Sequence, residues 1–304
     1  MKEMNFRSFI LFIVKGGVSF LLFYILFTNF QKKDLLSAIK SANFYILFPA
    51  VIITFIALVP ATLRWKTILG RGFSFKELLF LNIGSFFFGT LFPGFVFGDA
   101  YRFFAGRRNR LFFDSILIDR GLSFFFISSI GFFTSISITE LPFWLKSIFL
   151  ILTFIFSVFL IPFLRFPILE KIGRIFFPSI NCDLKVLFLI FFYSAIFHFF
   201  GLIIWLLLGF SAGLHLSIPL LIAYYSLLQP VSFIPFTFQG AGLREIILTY
   251  FSKMTSEPPQ KFLMFGLLIT SLLFITAILC GMITGYSWLK STLYTRIRDK
   301  HLSP

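Results

Sequence analysis

Long apolar runs separated by short, mostly basic connections make up this chain. Six runs reach the ~20 residues that a helix needs to cross a bilayer: Phe9–Thr28, Phe44–Leu63, Phe112–Thr134, Phe143–Phe163, Val186–Leu208 and Phe262–Tyr286. Two further apolar stretches are broken. Leu78–Phe97 is interrupted by Asn82, Gly84, Gly89, Pro93 and Gly94, and Ile218–Phe238 by Pro219, Gln229, Pro230 and Pro235. A helix that enters the membrane, breaks and returns to the same side fits these stretches better than a straight span. The backbone groups freed at such a break need burial in protein or a wet cavity. The expected fold is therefore an all-α polytopic membrane protein with six full transmembrane helices and two re-entrant broken hairpins. Together these are eight hydrophobic segments, and eight genuine crossings are the alternative.

The two breaks share a skeleton. Aligning Pro93 on Pro235 puts Gly98 on Gly240 and Arg102 on Arg244. Interrupted helices in corresponding halves of a membrane protein point to a binding site at mid-membrane. The chain reads as one integral membrane domain over 1–304. A first repeat core covers 44–134 with its hairpin at 78–110, and a second covers 186–286 with its hairpin at 218–251. Three full spans separate the hairpins. An odd number sends them in from opposite faces, the arrangement of an inverted repeat.

Composition supports the membrane assignment: 58% of the 304 residues are hydrophobic and only 13% charged, about half the usual charged share of a soluble domain. The net charge of +15 would suggest nucleic acid in a soluble protein. Here the basic residues crowd into short loops, where they set topology and meet anionic lipid heads. No nucleic-acid partner is expected. With the N-terminus inside, the basic stretches Arg64–Lys76, Arg102–Arg110 and Arg165–Lys185 and the tail all face the cytoplasm, which predicts a multi-pass protein of the cytoplasmic (inner) membrane with both termini cytoplasmic. Lys32, Lys33 and Lys40 run against that rule. Cys182 and Cys280 form no CxxC pair and give little support for a disulfide. The first apolar run is too long for a signal peptide and lacks a small-residue cleavage site, so it reads as a retained helix.

Three short motifs, PGFVFGDAYR at Pro93–Arg102, IDRG at Ile118–Gly121 and PFTFQGAGLRE at Pro235–Glu245, resemble those of the lysylphosphatidylglycerol synthase transmembrane-region family. The resemblance covers nearly the whole chain and implies a lipid-handling domain. In multidomain relatives that region is thought to flip an aminoacylated phospholipid made by a separate soluble domain. This chain ends some 18 residues after its last apolar run, so it looks like a stand-alone member without the synthase domain. Some relatives are linked to polyprenyl-phosphate or hopanoid biology, which leaves the lipid class open. The second motif copy has Ala241 where the first has Asp99, a departure from strict repetition.

The charged residues of these motifs are the candidate substrate-binding set: Asp99, Arg102, Asp119, Arg120, Arg244 and Glu245. Asp99 and Arg102 are three apart and share a helical face. A guanidinium gives phosphate two charge-assisted hydrogen bonds, and a helix N-terminus near Gly98 would reinforce anion binding. Asp119 and Arg120 lie inside an apolar run, where charge is costly and turns toward protein or water. Their side chains diverge by ~100°, so Asp119 is expected to pair with Arg102 while Arg120 faces the other repeat or the interface. Arg244 is the counterpart of Arg102, with Glu245 as its partner or a protonatable switch. The alternative for each is a purely structural ion pair. Pro93, Gly94, Gly98, Pro235, Gly240 and Gly242 are the candidate hinge or turn residues. Asn82 and Gln229 read as polar lining, His198 as a packed hydrogen-bonding residue and Asp114 as interfacial.

No HExxH, GxSxG, phosphate-loop or dinucleotide pattern occurs. No catalytic residue, metal or cofactor is expected. The leading reading is a lipid translocase acting on a phospholipid or polyprenyl-phosphate lipid. The runner-up is a membrane enzyme transferring a group to or from a lipid phosphate, with Asp99, Asp119 or Glu245 in catalysis. A non-catalytic envelope scaffold is third. A homo-oligomer or a separate lipid-modifying enzyme would be its protein partner.

Overall fold

The computed structural model describes residues 32–70, 72–92, 96–139, 141–163, 183–232 and 237–302, with a few isolated positions besides, and side chains as far as residue 287. The order is α1 (Lys32–Ser41), a 3-10 turn (Phe44–Ile46), α2 (Leu47–Leu69), α3 (Phe75–Leu91), α4 (Val96–Ala105), α5 (Arg110–Ile136) and α6 (Phe143–Ser157) with a 3-10 extension (Val158–Phe163). Then come α7 (Leu184–Ser211), α8 (Ile218–Val231), α9 (Leu243–Phe251), a 3-10 turn (Ser252–Met254) and α10 (Pro259–Leu302). The described residues contain no strand.

Five segments are long and apolar enough to cross a bilayer: Phe44–Leu69, Arg110–Ile136, Phe143–Ile161, Leu184–Ser211 and Pro259–Ser287. Each coincides with an apolar run of the sequence. The first run, Phe9–Thr28, falls outside the described residues except at Leu21, Tyr24 and Thr28. Pro93, Gly94 and Pro235 also lie outside them.

Local chemistry sets the helix limits. The Asn109 side chain accepts from Phe112 N at 3.0 Å and caps α5, which satisfies one of the four N–H groups a helix start leaves open. Gly70, at φ 77°, closes α2. The stretch after the first run, which reads from sequence as a loop, contains the ten-residue helix α1. Leu36 and Ile39 are exposed on it beside Lys33 and Lys40, the mixture of an interfacial helix.

Helices α2 and α7 run antiparallel. Asn43 N donates to Ser211 O at 3.2 Å and Ser211 Oγ donates to Asn43 O at 2.7 Å at one end, while Ile68 and Ile190 share an apolar cluster at the other. Helices α3 and α4 fold against each other as a hairpin. Gly98 lies in van der Waals contact with α3, where an added Cβ would come within 2.8 Å of Ser85 Oγ and 3.2 Å of Gly89 Cα. Gly98 therefore serves close packing inside α4 and is not a turn residue, which corrects its place among the expected hinges. Gly240 and Gly242 do turn the chain, at φ 85° and 86°. The aligned skeletons thus differ in helical register: Arg102 is the seventh residue of α4 and Arg244 the second of α9.

The largest apolar cluster among the described residues lies mostly in the second half, where Trp205 meets Phe265 edge-on at 5.2 Å and Tyr224 stacks on Phe251 at 4.5 Å. By contrast α6 turns Phe143, Ile151 and Phe154 outward, as a helix facing lipid does.

Candidate functional site

A cavity of about 210 Å³ opens between the two halves. Its polar lining includes Arg64, Asn82, Arg102, Arg120 and Ser123 from the first half and His198, Gln229, Gln239 and Arg244 from the second. The rest is apolar, with Phe86, Phe124, Phe197, Trp205 and Leu272 among its walls. Arg102 and Arg244, the two arginines of the repeated skeleton, thus reach the same chamber although their helices start at different offsets. Asn82 and Gln229 line it as read from sequence.

Five charged groups of the first half, Arg64, Asp99, Arg102, Asp119 and Arg120, form one network. Arg64 Nε donates to Asp119 Oδ1 at 2.7 Å, and Arg102 Nη1 to Asp119 Oδ2 at 3.3 Å. Asp119 is completely buried, and the two arginines are 2% and 4% exposed. Isolated charge at such a depth would be prohibitive, so each must find a counter-charge inside the protein. Arg120 forks onto Asp99, with Nε at 3.1 Å and 3.2 Å from the two carboxylate oxygens and Nη2 at 2.9 Å from Oδ1. Asp99 also lies 3.6 Å from Arg102. The Arg102 guanidinium stacks over Trp65 at 4.7 Å and donates to Asn82 Oδ1.

Pairing departs from the sequence reading in three ways. Asp119 takes Arg102 as expected, but its shorter bond goes to Arg64, which reads from sequence as a basic flank after an apolar run. Arg120 takes Asp99 on α4 as its partner while also lining the chamber between the halves. Asp114, read from sequence only as interfacial, is fully buried and pairs at 2.7 Å with the exposed Arg110 at the start of α5. The signal that would have found Arg64 is helical: Ala57, Ala61, Arg64 and Ile68 fall on one face of α2, and all four are buried.

In the second half, Glu245 is occupied by its own helix start. Gly242 N donates to Glu245 Oε2 at 2.7 Å, and the Thr270 hydroxyl donates to Oε1 at 2.6 Å. Arg244 Nη2 donates to Gln239 O at 2.5 Å and Nη1 to Thr270 Oγ1 at 3.5 Å. Thr270 therefore bridges Arg244 and Glu245, which make no direct ion pair among the described contacts. A polar line joins the halves: Arg64 Nη1 donates to Ser123 Oγ at 2.8 Å, Ser123 contacts His198 Nε2 at 3.2 Å, and His198 Nδ1 contacts the Tyr225 hydroxyl at 3.0 Å. His198 is thus a packed, doubly hydrogen-bonded residue of the cavity wall. At the tips of the two halves the Thr90 hydroxyl donates to Gln239 Oε1 at 2.8 Å.

An all-helical membrane protein with buried arginines around a central cavity is the class that this architecture defines. Residues 12–281 match the lysylphosphatidylglycerol synthase TM region, and the chain belongs to that family. No curated protein sequence matches the chain. No cluster of three or more metal-ligating side chains occurs among the described residues.

Proposed function

We propose that this protein is a lipid translocase, carrying the head group of a phosphate-bearing lipid through the central cavity while the acyl or prenyl tails stay in the bilayer. The observation that carries the reading is the meeting of Arg102 and Arg244 in one chamber. They come from two helix pairs, α3–α4 and α8–α9, separated by three long helices. Six full crossings with two re-entrant hairpins in an inverted repeat would bring those arginines in from opposite leaflets and offer a head group successive stations. In this scheme Arg102 and Arg244 bind phosphate, Asp119 and Asp99 hold the first-half arginines in position, and Glu245 with Thr270 holds Arg244.

The test is purified protein in liposomes carrying a head-group-accessible fluorescent phospholipid. Transbilayer movement should depend on the protein and fall on Arg102→Gln or Arg244→Gln, with thermal unfolding used to select variants that fold. Chemical turnover of the lipid without movement across the bilayer would overturn the reading in favour of a membrane enzyme.

A further inference from the structure

We infer that the cavity selects a lipid phosphate whose head group carries no ammonium, and so takes an anionic lipid in preference to an aminoacylated one. This rests on the translocase reading only for where the lipid goes, not for what the site binds. Four arginines line the chamber, Arg64, Arg102, Arg120 and Arg244, and no carboxylate does so among the described residues.

The carboxylates nearby are engaged with groups of the protein. Asp119 holds Arg64 and Arg102, Asp99 holds Arg120 through both oxygens, and Glu245 accepts from Gly242 N and Thr270. Four guanidinium groups against these three carboxylates leave one positive charge in excess. A single phosphodiester would neutralise it. A lysyl or ethanolamine ammonium would enter a positive field with no carboxylate on the wall to receive it, an arrangement that discriminates by repulsion as much as by attraction.

Arg102 supplies a second, independent sign. Its Nε–H is buried and has no hydrogen-bond acceptor within the protein, although its Nη1 and Nη2 are engaged by Asp119 and Asn82. A buried donor without an acceptor is costly to leave unmade, and a phosphate oxygen is the acceptor such a site suits. Size points the same way. At about 210 Å³ the chamber lies below the ~300–1,000 Å³ of typical ligand pockets, which favours a compact phosphate head over a glycan or an extended aminoacyl group.

The experiment measures binding separately from movement. Purified protein in detergent is offered phosphatidylglycerol, phosphatidate, a polyprenyl phosphate, phosphatidylethanolamine, phosphatidylcholine and lysylphosphatidylglycerol in turn. Retained lipid is read by native mass spectrometry and by thermal shift, with inorganic phosphate as competitor. The three heads without ammonium should bind at least about tenfold more tightly than the three with it, a gap of one decade in Kd. Arg102→Gln and Arg244→Gln should each remove that gap, and Arg102→Lys, which keeps charge but loses the fork, should restore part of it. Competition by inorganic phosphate identifies the phosphate as the recognised group. Among the three favoured lipids, the tightest names the source.

Equal or tighter retention of lysylphosphatidylglycerol would overturn the inference, as would selectivity unchanged in both glutamine variants. The two readings fail separately. Selective binding without transbilayer movement in liposomes removes the translocase and keeps the head-group preference. Movement of all six lipids alike does the reverse.

Discussion

Thr90 and Gln239 are separated by 149 positions in the chain, yet the hydroxyl of one donates to the side-chain oxygen of the other across 2.8 Å. They sit near the ends of α3 and of the segment leading into α9, so the bond ties the first hairpin to the second at the cavity edge. Gln239 adopts a left-handed backbone at φ 49°, uncommon for a residue with a side chain, and its carbonyl receives Arg244. Tip contact and arginine position are thus set by the same residue.

If transport requires the tips to part, linking them stops it. Thr90→Cys with Gln239→Cys, in a background without Cys182 and Cys280, should cross-link with a short thiol-reactive linker. Lipid movement in liposomes should fall on cross-linking and return when a cleavable linker is reduced. Undiminished movement in fully cross-linked protein would show that the tips need not separate.

Removing Arg64 should destabilise the protein more than its flanking position in sequence suggests. Arg64→Ala leaves Asp119 with only the longer bond to Arg102, and breaking a buried pair from one side costs about 3–5 kcal/mol. The double change Arg64→Met with Asp119→Leu removes both charges together and should recover part of that loss in thermal unfolding. An Arg64→Ala protein as stable as the parent would mean that water reaches Asp119 freely.

Two glycine substitutions should behave in opposite ways. In Gly98→Ala the new methyl meets Ser85 and Gly89 of α3, and overpacking of that kind costs about 1–3 kcal/mol. Gly209 lies within α7 with open space where its Cβ would stand, so Gly209→Ala should be neutral or stabilising by about 0.5–1 kcal/mol. Unfolding midpoints in one detergent compare the two directly.

A pH effect is expected outside the membrane. The Lys261 ammonium donates to Glu257 Oε2 at 2.8 Å, and the backbone N–H of His215 donates to Oε1 at 3.2 Å. Hydrogen bonding to Lys261, with a smaller contribution from His215, holds the Glu257 carboxyl below its ordinary value. With the native pKa depressed, the contribution to stability is full above the unfolded value of about 4.3 and fades as pH falls through the native one. Glu257→Gln should flatten that part of the stability–pH curve. The effect should be small, near the ~0.3–0.5 kcal/mol of exposed i,i+4 pairs.

Much of this is legible in the sequence. The five long helices follow the apolar runs, and the Pro-Gly-Arg skeleton picked out the two arginines that meet in the cavity. Partner choice was not legible, because it depends on which helix stands beside each face. Asp119 and Arg120 are neighbours in sequence but point toward α2 and α4 respectively. Arg64 does not stand out in the sequence because a charge at the end of an apolar run has two readings, the rim of a span or its continuation, and only packing against Ser194 and Asp119 selects the second. Glycines hide their purpose in the same way: Gly98 and Gly240 align, but one yields space to a neighbour and the other bends the chain.

The paired bonds between Asn43 and Ser211 fasten α2 to α7 at one end, whereas the Arg64 fork further along reaches Ser194 at only 3.3 Å. With Ile68 and Ile190 packed at the opposite end, the pair is a ladder with the Arg64 rung between two closed ends. Loss of that rung would be met by side chains and water filling the gap, with both rails left in place.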